Sequence, residues 1–155
     1  MGHGEDMANS SADGSTDGVS RREPRPVGVG VRPLAVLAAE VQGVVAGFDP
    51  ELVLARDCVD LVTVFSDLEH AASAGLALAA RRVAQTNLWE GAGHRTSAHW
   101  LAAKTGMTVG DAMRLLETAE VAEDAPATMD ALKNGDLSIR KANAAGKAEQ
   151  ADPEA

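Results

Sequence analysis

Tyrosine is absent from the chain of 155 residues, and phenylalanine, tryptophan and cysteine number only two, two and one. Aromatic residues make up 3% while apolar residues as a whole reach 45%, so any interior has to be built from Ala, Val and Leu. Strands of a β-sandwich want β-branched and aromatic side chains, whereas alanine-rich faces suit helices packed at close range. The composition therefore predicts an all-α protein. The single thiol, Cys58, cannot form an intramolecular disulfide, and nothing implies an oxidising compartment. No run of ~18 apolar residues is present to span a membrane. The opening residues, Met1-Gly2-His3-Gly4-Glu5-Asp6, lack the basic and then apolar order of a secretory signal, and we expect a cytoplasmic protein.

Positive charge is also scarce. Lysine and arginine total 14 against 23 aspartates and glutamates, a formal net charge of −9. Such a chain repels a phosphate backbone at long range, so nucleic-acid contact would need a local basic patch or another part of the protein. Metal and hydrolytic motifs are missing too. His94 and His99 are five residues apart, which does not put them on one helical face, and no cysteine pair accompanies them. Gly28, Gly30, Gly91 and Gly93 stand outside any strand-turn-helix context that could cradle phosphate. No catalytic residue, metal site, cofactor or small-molecule ligand is expected.

What is present is a series of helical signals. Residues 1–32, rich in Gly, Ser, Asp, Pro and Arg, have no apolar period and are expected to be a disordered tail ahead of a helical domain over 33–150. Val36, Leu37, Val41, Val44 and Val45 form a helical stripe that Gly47 closes. Asp49-Pro50 reads as an N-cap and first helical residue. From there Leu54, Cys58, Leu61, Phe65, Leu68, Ala72, Gly75 and Ala79 recur at alternating steps of four and three, which predicts one long helix from Pro50 to about Gln85 with a heptad seam. That seam has to pack against later helices or against a second copy, and its C-terminal half, with Ala71, Gly75 and Ala79, would admit a close neighbour. Phe65 sits in mid-seam as an expected buried anchor.

After a turn at Trp89 to Gly93, a helix from Arg95-Thr96-Ser97 ends at Gly106. A second, capped by Thr108 with Asp111 in the place of a capping-box acid, buries Ala112, Leu115, Leu116 and Ala119. Pro126 begins a third, closed by Asn134-Gly135, and Ser138 caps the last, with Ile139, Ala142 and Ala145 inward. Trp89 and Trp100 are expected to anchor the turn to the long helix.

Ala102, Gly106, Met107, Ala112 and Leu115 have the spacing of a helix-turn-helix, with a small residue for the crossing, a glycine for the turn and apolar residues for the lock. A helical hairpin of this kind either reads DNA or serves as packing. The groups available to contact DNA are Arg95, Lys104, Arg114, Arg140 and Lys141, set against Asp111, Glu117, Glu120 and Glu123 of the wrong sign.

The strings Trp89 to Gly91, Arg95 to Ala102, Thr105 to Thr108 and Ala112 to Leu116, followed by Pro126-Ala127-Thr128, Ala131-Leu132, Gly135, Leu137-Ser138 and Ala142, resemble the signature of domain of unknown function 222, from the actinobacterial 13E12 repeat family. The resemblance implies a helical domain that in relatives precedes a C-terminal HNH endonuclease, in proteins associated with mobile repeats. The paired histidines and metal-binding segment of that nuclease have no counterpart here, so the chain is expected to be a truncated, non-catalytic helical module. Its partners would be DNA through that family context, or other protein, including a second copy through the long helix.

Overall fold

The computed structural model describes Met1 and residues 30–152. The expected tail, including Arg21, Arg22 and Arg25, lies almost wholly outside the described residues. Six α-helices and two short 3-10 turns account for the described chain, with no strand among them, so the fold is all-α. The helices are α1 (Val31–Ala46), α2 (Ala55–Gln85), α3 (Ser97–Thr105), α4 (Val109–Glu123), α5 (Pro126–Lys133) and α6 (Ile139–Ala151). Two units divide the chain, 1–48 and 49–155, so α1 belongs to the first and α2 to α6 to the second. Within the first unit α1 is a helix of 16 residues with no buried side chain, closed by Gly47.

In the second unit the long helix starts later than expected. Asp49 does act as a cap, accepting from the Glu51 N–H at 3.0 Å, but it caps a single 3-10 turn, Pro50–Leu52. Val53 and Leu54 then take extended backbone and α2 starts at Ala55. Its 31 residues span about 47 Å at ~1.5 Å per residue.

The other boundaries follow their local chemistry. Thr96, Thr108 and Ser138 each accept from a backbone N–H three residues on and start α3, α4 and α6. Gly106 turns left-handed at φ 79° and donates to the Ala102 carbonyl at 2.9 Å, ending α3. Gly135, at φ 80°, donates to Leu132 while Asp136 donates to Ala131, the paired bonds of a Schellman ending for α5.

Helix α4 is the hub of this unit, packing on α2, α3, α5 and α6. Ala112, Ala119 and Ala122 are fully buried on it, and they meet Ala77, Ala80, Ala98 and Leu101 at one end and Ala74, Leu132 and Ala142 at the other. Helix α6 comes close enough that a Cβ built on Gly146 would lie 2.6 Å from Val121 Cγ1. Of the residues expected inward, Ala112, Leu115, Ala119 and Ala142 are buried and Leu116, Ile139 and Ala145 half-buried, while Thr118, Ala122, Thr128 and Gly146 are buried without having been expected; Trp100, Ala102 and Met107 are half-buried against the first cluster.

Helix α2 is the exception. Its buried residues are Ala74, Ala77 and Ala80, with His70, Ser73 and Ala84 half-buried beside them. At ~100° per residue that face is nearly opposite the heptad seam, so Ala71, Ala72, Gly75 and Ala79 point away from the core and are exposed. Phe65, on the seam side, is half-buried and lies outside both core clusters, which corrects its reading as a buried anchor. Both faces carry small residues at helical spacing, and only the position of α4 selects between them.

Gly146→Ala should destabilise the fold by about 1 kcal/mol, because overpacking against the stiff, β-branched Val121 costs ~1–3 kcal/mol and exceeds the ~1 kcal/mol gained in helix propensity. Gly75→Ala, with no atom within 4 Å of its new Cβ, should instead stabilise by ~0.5–1 kcal/mol. Chemical denaturation of the two variants checks the opposite signs.

Candidate functional site

A cleft of about 490 Å³ opens between α2, the start of α4 and the start of α6. Met107, Leu115 and Ile139 supply its apolar wall, and Glu69, His70, Arg114 and Arg140 its charged or titratable groups, with Asp111 beside Arg114. The His70 Nδ1 lies 3.1 Å from the Gly135 carbonyl. A carbonyl can only accept, so Nδ1 carries the proton and Nε2 is the acceptor in the neutral ring. Neither Ser73 nor Ser138, which also line the cleft, is hydrogen-bonded to His70, so no nucleophile and base are paired there.

The five basic residues named from sequence do not converge. Arg114 and Arg140 line the cleft, whereas Arg95, Lys104 and Lys141 are exposed and do not. Arg114 is engaged within α4, donating to Asp111 Oδ1 at 2.8 Å. The Thr108 hydroxyl donates to the other Asp111 oxygen at 2.7 Å while accepting the Asp111 N–H, so this carboxylate binds the capping hydroxyl and not the Thr108 N–H of a reciprocal box. Thr108 first and Arg114 second hold the Asp111 carboxyl below its ordinary range. Among the described residues no three of His, Cys, Asp and Glu come together as a possible metal set. No helix among them is long and apolar enough to cross a membrane.

The named anchors fare differently. Gly106 forms the turn between α3 and α4, Trp100 packs on the first core cluster, and Trp89 is half-buried just before the 3-10 turn Glu90–Ala92. Helices α3 and α4 pack against each other on either side of Gly106. Helix α4 is nevertheless the hub of the bundle, and its exposed side presents Asp111, Glu117, Glu120 and Glu123 with Arg114.

Several polar contacts join residues far apart in sequence. Helix α5 has no side-chain cap of its own. Glu149 of α6 supplies one, accepting from the Ala127 and Thr128 N–H groups at 3.0 and 2.9 Å and from the Thr128 hydroxyl at 2.8 Å. The Thr128 hydroxyl, then the two amides, keep the Glu149 carboxyl below its ordinary range. Buried Thr118 donates to the Arg114 carbonyl at 2.7 Å and accepts from Asn143 at 3.3 Å, linking α4 to α6. Arg81 and Gln85 bind Glu123 at 3.1 Å each, and Lys147 binds Glu117 at 2.6 Å. The Arg81 and Lys147 hydrogen bonds are the leading reasons that Glu123 and Glu117 also ionise more readily than usual.

The outer face of α2 is the second candidate. Leu54, Val64 and Leu68 are exposed there or on its flanks, Leu54 at 58% and Leu68 at 43%, while Cys58, Leu61 and Phe65 are half-buried. Exposed apolar side chains on the outside of a helix have the character of a contact surface.

Stability should fall in acid. Glu149 stays ionised in the folded state at pH values where the unfolded chain takes up a proton, so its stabilisation is complete above the unfolded value of roughly 4.3 and is lost as pH falls through the lowered folded value. Glu149→Gln should lower Tm at neutral pH and flatten the acid limb of Tm against pH. An unchanged acid limb would show that the α5 cap carries no proton linkage. No family model, curated protein or solved structure matches this chain.

Proposed function

We propose that the chain is a helical protein-docking module without catalytic chemistry of its own, and that its working surface is the outer face of α2. The single observation that carries this reading is the two-faced character of that helix: the bundle core closes on Ala74, Ala77 and Ala80, while Leu68, Ala72, Gly75 and Ala79 stay exposed on the other side. The resemblance to domain of unknown function 222 suggests the setting, a module that works beside an HNH endonuclease carried elsewhere, and agrees with a role in assembly.

DNA targeting is the second reading. It is favoured by one observation, that Arg114 and Arg140 line one cleft next to the starts of α4 and α6, where helix dipoles attract anions. Glu69 and Asp111 in the same cleft oppose it, and so does the net charge of −9.

Titration of the chain against mixed-sequence duplex at low and physiological salt separates the readings. We expect no binding at physiological salt. If all five basic groups engaged phosphate, the logarithmic salt slope would approach about −4.5. Tight binding at physiological salt, weakened by Arg114→Ala and Arg140→Ala, would establish DNA targeting instead. For the docking face, Leu54→Glu combined with Leu68→Glu, both at exposed positions, should reduce binding of an anilinonaphthalene dye to the folded chain while leaving Tm within a few degrees. Equal dye binding by wild type and variant would remove α2 as the surface.

A further inference from the structure

We propose that Asn134-Gly135 is a site of spontaneous modification, where the main chain attacks the Asn134 side chain, and that the ending of α5 keeps this site shut in the folded chain. The Gly135 nitrogen bonds to Asn134 Cγ and closes a five-membered imide. The Cγ–Nδ2 bond breaks in the same step, and the side-chain nitrogen leaves as ammonia with the proton of the Gly135 amide. Water then opens the ring at one carbonyl or the other, giving aspartate or, with the main chain rerouted through the side chain, isoaspartate. No oxidant, cofactor or second protein enters.

Sequence and exposure select this position. Attack needs a nitrogen that its own residue does not shield, and glycine has no Cβ to shield it. Asn87 and Asn143, the other asparagines among the described residues, precede Leu88 and Ala144. Asn134 is exposed just beyond the last residue of α5, so water reaches its amide and ammonia can leave.

The fold holds the reacting atoms apart. At ψ −10° the Gly135 nitrogen lies level with the backbone nitrogen of Asn134, and closing the imide requires about a third of a turn towards Cβ. Three hydrogen bonds resist that rotation. The Gly135 N–H donates to the Leu132 carbonyl at 3.2 Å, the Asp136 N–H donates to the Ala131 carbonyl at 3.0 Å, and the Gly135 carbonyl accepts from His70 Nδ1 at 3.1 Å. Gly135 is also buried against α2, where a Cβ built on it would lie 3.7 Å from the Asp67 carbonyl oxygen. The imide therefore forms when this end of α5 opens, a local event that costs less than global unfolding.

The products prevent reclosure. Isoaspartate lengthens the main chain by one carbon ahead of Gly135, so the Gly135 and Asp136 N–H groups no longer reach Leu132 and Ala131 together. Aspartate places a carboxylate at the C-terminal end of α5, where the helix dipole disfavours negative charge. The change reaches the cleft as well, because His70 lines it and Ser138, which starts α6, follows closely in the chain.

Incubation of the full chain at mildly alkaline pH, folded and in guanidinium chloride, measures the two rates. Trypsin cleaves after Lys133 and Arg140 and isolates residues 134–140 for mass spectrometry. Conversion should be about tenfold or more slower in the folded chain. His70→Ala should speed conversion of the folded chain several-fold, and His70→Asn, whose amide keeps an N–H near the place of Nδ1, should return it towards wild type. Neither should alter the rate in denaturant. Wild type converted in denaturant and refolded should melt below Asn134→Gln given the same treatment, since the longer glutamine side chain cannot close this ring. Absence of conversion in both conditions would overturn the site, and equal rates in both would overturn protection by the α5 ending. Folded-state conversion indifferent to His70→Ala would overturn the part assigned to His70, and equal Tm values for the treated wild type and Asn134→Gln would overturn the block to reclosure.

Discussion

The second unit depends on close approach of helices around α4. With almost no aromatic residues to fill space, burial has to come from backbones brought near one another, and Ala112, Ala119 and Ala122 allow this on one helix against Ala77, Ala98 and Ala142 on its neighbours. Gly146 takes the requirement to its limit, since even a methyl group there would collide with Val121. Small contacts each contribute little transfer free energy, so the bundle gains its order from the number of such contacts and from fit.

Helices this close bring their polar ends within reach of one another. Glu149 can therefore cap α5 from α6, and Thr118 can be fully buried with its hydroxyl satisfied by Arg114 and Asn143. No buried side-chain nitrogen or oxygen among the described residues lacks a partner. The same geometry draws in much of the available positive charge. Arg81, Arg114 and Lys147 are held by Glu123, Asp111 and Glu117, exposed pairs of small individual worth that nevertheless leave fewer cations for an external polyanion.

Function on this scaffold is a question of leftover surface. Helices α3 and α4 form a hairpin that turns at Gly106, yet a recognition helix must offer a basic or polar reading face, and α4 buries one side in four neighbours and shows acidic groups on the other. Helix α2 has the inverse arrangement. One face completes the core and the other leaves Leu68, Ala72, Gly75 and Ala79 exposed.

Most local structure was legible in the residues. Thr96, Thr108 and Ser138 start helices, Gly106 and Gly135 end them, and the inward positions of α3 to α6 follow from a 3.6-residue period, because caps and turns act over three or four residues and owe nothing to distant neighbours. The all-α class follows from composition in the same way. What the residues left undecided was which side of α2 would be buried, since Leu61-Phe65-Leu68 carries the stronger hydrophobic signal and Ala74-Ala77-Ala80 won. Ala72, Gly75 and Ala79 on the seam are as small as these three, so the choice was made by where α4 lies, a property of two helices together that a single helix does not reveal. The convergence of Arg114 with Arg140, the cap from Glu149 and the tie from His70 to Gly135 were hidden for the same reason: each joins residues 21 to 65 positions apart or across separate helices, and only tertiary packing makes them neighbours.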